Sequence, residues 1–115
     1  MKHNEIINKI KSRLEKFCLS IECSQEYVLN NGIKGEYDIK AINSDDIIIV
    51  EVKSRDNYCN RNKAIKQLYK DYLYCVEKES NKEIKLFYAY TRKNNKRGYV
   101  IERIINNKNN TASIK

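Results

Sequence analysis

Apolar residues open the chain at helical spacing. Ile6, Ile7, Ile10, Leu14 and Phe17 follow i, i+3 and i+4 steps, which predicts an amphipathic helix over 2–17. The period then drops to two. Ile21, Cys23 and Tyr27 alternate with Glu22, Ser24 and Glu26, the pattern of a strand over 20–29. Asn30, Asn31 and Gly32 mark a turn, because Asn and Gly tolerate positive φ. Gly35 loosens the chain before a second strand, 36–42. A polar turn at 43–46 leads to a third strand, 47–53, with the apolar run Ile47, Ile48, Ile49, Val50. A polar loop over 54–62 precedes a second helix, about 61–78, striped by Ile65, Leu68, Tyr69, Tyr72, Leu73 and Val76. Two more strands follow, 83–90 and 98–105, with Asn94, Asn95 and Gly98 in the turn between them. The Asn-rich segment 106–115 reads as a flexible basic tail behind a single domain over 1–105. The order α-β-β-β-α-β-β predicts an α/β domain with a central mixed sheet flanked by helices.

Composition narrows the setting. A chain of 115 residues, 41% apolar, suits one modest core. No apolar run is long enough for a membrane span, and the first residues are amphipathic rather than a signal-peptide core. The expectation is a cytoplasmic protein, or one of a nucleus or a virus-infected host cell, with no membrane partner. Cys18, Cys23, Cys59 and Cys75 lack the spacing of a zinc site and read as free thiols.

The net charge of +8 is uneven. Residues 1–90 carry sixteen basic and fourteen acidic side chains, a balance of +2; residues 91–115 carry seven basic ones against Glu102 alone, a balance of +6. A second basic cluster, Lys53, Arg55, Arg61, Lys63, Lys66 and Lys70, is opposed by little but Asp56. Such excess fits a polyanion, most simply nucleic acid, although the same excess also serves solubility. Tyr69, Tyr72 and Tyr74 read as core and packing surface, large enough to suggest an oligomer contact.

The chemistry concentrates in residues 38–53, DIKAINSDDIIIVEVK. A hairpin of the second and third strands sets Asp38, near the start of one, beside Glu51, near the end of the other. Two adjacent carboxylates repel unless a cation lies between them. A divalent cation held there would also bind a phosphate oxygen and water. Lys53 shares a strand face with Glu51, where it would hold the phosphate or act on the attacking water. The competing reading makes Glu51 and Lys53 a same-face ion pair on an exposed face.

The pattern G-x-x-D, a short turn, an apolar strand and E-x-K resembles the PD-(D/E)xK nuclease superfamily, in particular archaeal Holliday-junction resolvases and their viral and phage relatives. Gly35, Asp38, Glu51 and Lys53 match the motif, Gln67 matches a Gln of the second helix, and the element order matches the restriction-endonuclease-like core. The likeness covers 2–90; Tyr37 stands where Pro often precedes the Asp. The resemblance implies an Mg²⁺-dependent endodeoxyribonuclease, with Mn²⁺ as the alternative ion, built as a homodimer that cuts branched duplex DNA in recombination or repair. It implies catalytic roles for Asp38, Glu51, Lys53 and Gln67, and metal ligation by Asp38, Glu51 and the Val52 backbone carbonyl. The relatives add a Glu from the first helix, for which Glu5 fits by distance but not by face; His3, on the apolar stripe, is the alternative. Arg55, Arg61, Lys63, Lys66, Arg92, Lys93, Lys96 and Arg97 are expected to contact DNA phosphates. The rival readings are a repair- or restriction-type nuclease, an RNA nuclease, and an inactive nucleic-acid-binding module.

Overall fold

The computed structural model describes residues 1–78 and 81–104. Among the described residues, two helices and five strands follow in the order α1 (His3–Leu14), β1 (Ser20–Val28), β2 (Lys34–Ile42), β3 (Asp46–Lys53), α2 (Tyr58–Lys78), β4 (Glu83–Arg92) and β5 (Asn95–Ile104). The strands form one sheet in chain order. β1–β2, β2–β3 and β4–β5 are antiparallel hairpins. β3 and β4 run parallel because α2 carries the chain back between them. The mixed α/β architecture is the one the periodicities predict.

Each helix covers one face of the sheet. On the α1 side, Ile6, Ile7, Ile10 and Leu14 pack against Ile39, Ala41, Val50 and Val52. On the α2 side, Ala64 and Leu68 pack against Ile47, Ile49, Leu86 and Tyr88. Burying each of these Ile, Leu and Val side chains contributes roughly 1.5–3 kcal/mol. Strand alternation then places Glu51 and Lys53, two and four residues past Ile49, on the α2 face.

The β1–β2 hairpin changes faces along its length. Ile21 and Cys23 face α1, whereas Tyr27 belongs to the α2 cluster. Likewise Ile39 faces α1 and Tyr37 faces α2, although two-residue steps normally keep one side. Ser24, with φ at 52°, lies at the switch, opposite Asp38. The hairpin's outer half therefore wraps over α2, where Tyr27 stacks on Tyr74 with ring centroids 4.3 Å apart.

Several boundaries differ from the sequence reading. α1 ends at Leu14, and Phe17 is 60% exposed rather than part of the stripe. The chain turns there so that Leu19 can donate to the Ile42 carbonyl and start β1. α2 begins at Tyr58, three residues before the expected start, because the Asn57 side chain accepts the Asn60 N–H at 2.8 Å and caps the helix. Its buried stripe is Ala64, Leu68, Asp71 and Cys75, with Tyr69 and Val76 exposed. Small side chains at 64 and 75 let the helix approach the sheet, and the tyrosines take its flanks. β5 begins at Asn95, so Gly98 lies within the strand. The four cysteines, all among the described residues, form no disulfide. The expected tail, 106–115, lies outside the described residues, as does the end of the last strand at 105. Among the described residues no helix is long and apolar enough to cross a membrane.

Candidate functional site

The paired register of β2 and β3 ends at Ile39–Val50. Beyond it the two strands part, and Asp38 fills the fork. Its Oδ2 accepts the backbone N–H of Val52 at 2.8 Å. A side chain here replaces a ladder bond, so the fork opens without leaving a buried donor unpaired. The same oxygen lies 3.3 Å from His3 Nε2, at the first residue of α1. Position 38, at the change of faces, allows one carboxylate to reach the α1 helix and β3 together.

Glu51 stands beside Asp38, only 7% exposed. Its Oε1 is buried and has no hydrogen-bond partner. Burial first, then the charges of Asp38 and Asp71, push its carboxyl up to about 9; the Lys53 ammonium pulls the other way, and a hydrogen bond with Asp38 adds to the rise. At neutral pH the isolated site therefore keeps a proton on Glu51, which a bound cation would displace. Lys53 is half-buried at the end of β3, in register with Tyr90.

Behind this pair lies a carboxylate that the sequence reading did not single out. Asp71 is wholly buried on the inner face of α2. Its Oδ1 accepts hydrogen bonds from the Tyr27 hydroxyl and from Gln67 Nε2, the latter at 2.8 Å, while Oδ2 has no partner. Burial pushes Asp71 up to about 7, against the two hydrogen bonds that lower it. Gln67 also approaches the Tyr27 hydroxyl at 3.2 Å. Its amide thus serves Asp71 and Tyr27. The signal for Asp71 was its spacing with Ala64, Leu68 and Cys75 on one helical face, hidden by the more apolar tyrosine stripe.

The two first-helix candidates part company. Glu5 Oε1 accepts the Lys2 N–H at 3.2 Å and closes the start of α1. His3 is the one set against Asp38. Val52 is buried, with its side chain in the α1 cluster and its N–H on Asp38.

The basic residues also separate into groups. Arg61 is engaged internally: it bonds Asp56 at 3.1 Å and Glu102 at 2.6 Å, and its guanidinium lies over Tyr88, 5.0 Å from the ring centroid. Those partners raise its pKa further and lower that of Glu102. Tyr88 donates to the same Asp56 at 3.0 Å. Lys63 and Lys66 are exposed on α2. Arg55, Arg92 and Lys93 line one cleft of about 620 Å³ on the α2 side, at the C-terminal ends of β3 and β4. Lys96 joins them in an adjoining hollow with Met1 and Ser54. Two segments far apart in sequence thus converge beside the Glu51–Lys53 rim, while Arg97 is exposed next to Lys96.

Among the described residues no three His, Cys, Asp or Glu side chains form a group that holds a metal by itself. The donors that fit a cation are two, Asp38 and the unpartnered Oε1 of Glu51. That set suits a hard ion such as Mg²⁺, which binds one or two carboxylates and keeps several waters. The chain matches no protein-family model, and no curated protein matches it.

Proposed function

We propose that this protein is a metal-dependent endonuclease of the PD-(D/E)xK type that hydrolyses DNA phosphodiester bonds, with branched DNA as its substrate. The observation that carries the reading is the pair at the fork: Asp38 and Glu51, adjacent and buried, with Glu51 Oε1 lacking a partner and Lys53 on the same strand face.

Asp38 and Glu51 would hold Mg²⁺ or Mn²⁺ between them, and the Val52 carbonyl is the third ligand by resemblance. When bound, the ion supplies charge stabilisation at the reacting phosphate and a more acidic water. The remaining work falls to the chain. Asp38 is fixed by the Val52 N–H, so its other oxygen keeps one direction. Burial keeps bulk water from screening Glu51. Lys53 brings a positive charge to the rim, where it would hold a phosphate oxygen or position the attacking water. Arg55, Arg92 and Lys93 would bind flanking phosphates without reading sequence.

The proposed assembly is a homodimer. Tyr69 and Val76 remain 45% and 42% exposed on α2, whose buried stripe packs on the sheet. A second copy covering them would place two sites on one particle.

A cleavage panel tests the reading: four-way junction, linear duplex, single-stranded DNA and RNA, each with Mg²⁺, Mn²⁺ or EDTA. Metal-dependent cutting of the junction by the wild type, absent in Glu51→Gln, is expected. No cutting with either ion, alongside retained binding, would leave an inactive binding module.

A further inference from the structure

The basic surface does not stop at the cleft. Tyr90 and Val100, which help line it, are register partners on the α2 side. Thr91 and Tyr99 are the next pair and lie on the α1 side, where Tyr99 packs on the α1 cluster. At the sheet's end the two sides are joined through the amino terminus. The Met1 amine donates to the Lys96 carbonyl at 3.2 Å, and Thr91 Oγ1 donates to the Met1 carbonyl at 3.1 Å. Lys9 Nζ donates to the Arg97 carbonyl at 3.4 Å, tying α1 to the start of β5.

Beyond that joint a second groove runs between α1 and β5. It is lined by Asn8, Lys9, Ser12, Arg13 and Tyr99, with no acidic side chain among them. Arg13 is preset there: it donates to the Tyr99 hydroxyl at 2.5 Å, with its guanidinium 5.9 Å from the ring centroid. Positive charge is therefore continuous from the cleft beside Glu51, around the end of β4, to the opposite side of the sheet. Asp56, the acidic residue in the cleft lining, is occupied by Arg61 and Tyr88.

A straight duplex cannot follow this belt. DNA has a persistence length of about 150 base pairs, whereas the belt turns around one edge of a domain whose longest dimension is 39 Å. A single strand can make the turn. We propose that the α1 groove, through Lys9 and Arg13, holds a single strand that leaves a duplex at the Asp38–Glu51 site. This rests on the nuclease reading and goes beyond it, since it gives a single-stranded branch, unlike the duplex arms of a four-way junction, a binding surface of its own.

The test is binding in EDTA, which needs no catalysis. The probes are a short linear duplex and the same duplex carrying a single-stranded branch, titrated over a range of salt by fluorescence anisotropy. The variants are Lys9→Gln with Arg13→Gln, and a control pair, Lys34→Gln with Lys78→Gln, exposed on the β1–β2 hairpin and the last turn of α2. Wild type should favour the branched probe. The groove variant should lose that preference, and its salt slope on the branched probe should fall by about 1.4, roughly 0.7 per lost single-strand phosphate contact. Its binding of linear duplex and its melting temperature should stay near wild type, and the control pair should leave the preference intact. Equal affinity of wild type for the two probes, or an unchanged preference in the groove variant, overturns the inference and leaves the nuclease reading standing. Failure of wild type to bind either probe overturns the nucleic-acid reading itself.

Discussion

The Asp38 carboxylate accepts the Val52 backbone N–H at 2.8 Å, where β2 no longer pairs with β3. The residue proposed to hold the cation therefore also closes the strand fork. The two roles separate by substitution. Asn at 38 keeps an oxygen acceptor for Val52, so Asp38→Asn should melt near wild type while losing metal-dependent cleavage and keeping DNA binding. Asp38→Ala strands a buried N–H and should cost about 1–3 kcal/mol of stability. Chemical denaturation, run beside the cleavage assay, checks both. Equal loss of stability in the two variants would deny Asp38 its place at the fork.

Arg61 should behave as a structural clamp. Its bonds to Asp56 and Glu102 fasten the start of α2 to β5, and Tyr88 supports both the guanidinium and Asp56. Arg61→Ala should lower the melting temperature, through a loss of about 1 kcal/mol for a partly exposed ion-pair network. It should leave the salt slope of duplex binding unchanged. Arg55→Ala should do the reverse, reducing that slope by about 0.9 per phosphate contact while leaving stability alone. A reduced slope in Arg61→Ala would return this residue to the DNA-contact set.

The difference between Arg55 and Arg61 marks what local sequence conveys. The Ile47–Val50 run fixed a buried strand, and its step of two put Glu51 and Lys53 on one face; both follow from short-range periodicity. Asp38 beside Glu51 follows from a short hairpin. By contrast, the partner that claims Arg61 is Glu102, forty-one residues away across the sheet. No local pattern encodes that pairing. The inner face of α2 was obscured for another reason. Tyr69 and Tyr72 look more apolar than Ala64 and Asp71, yet close approach of a helix to a sheet rewards small residues. Asp71 is tolerated there because Tyr27 and Gln67 donate to it, and Tyr27 reaches it only because the hairpin changes faces at Ser24. His3 and Glu5 are two residues apart, and helical phase alone set His3 on the inward side.

Gly35 is required by the ring of Tyr27, its register partner. A Cβ at 35 would collide with the Tyr27 hydroxyl and ring carbons. That ring cannot swing away without giving up Asp71 and its stack on Tyr74. Gly35→Ala should therefore destabilise the protein by about 1–3 kcal/mol, the usual cost of overpacking. In the Tyr27→Phe background the added methyl still meets the ring, so the penalty should persist there. Tyr27→Phe alone should cost about 1–3 kcal/mol through the lost donor to a buried carboxyl. Denaturant midpoints of the two single variants and the double variant form the check. A neutral Gly35→Ala would mean that the hairpin yields freely and does not hold Tyr27 against α2.

The carboxyls at the site make stability depend on pH in a direction opposite to that of a surface acid. Glu51 rises from 4.5 to about 9 on folding, and Asp71 from 3.8 to about 7. Below both unfolded values each group is protonated in either state, and no penalty applies. As pH climbs from there, the unfolded chain releases protons that the folded chain retains, so stability falls. The fall ends once the folded groups have ionised, near 9 for Glu51. In EDTA the melting temperature should thus decline steadily between about pH 5 and pH 9, with most of the slope removed by Glu51→Gln. A divalent cation binds the ionised pair and competes with the proton. Mn²⁺ should therefore raise the melting temperature little at the acid end and progressively more toward the alkaline end, and Glu51→Gln should blunt that gain. Calorimetry across the range, with and without Mn²⁺, measures both effects. A cation increment independent of pH would place any metal elsewhere than on Glu51, and an EDTA profile that rises with pH would mean that Glu51 is ionised in the folded chain.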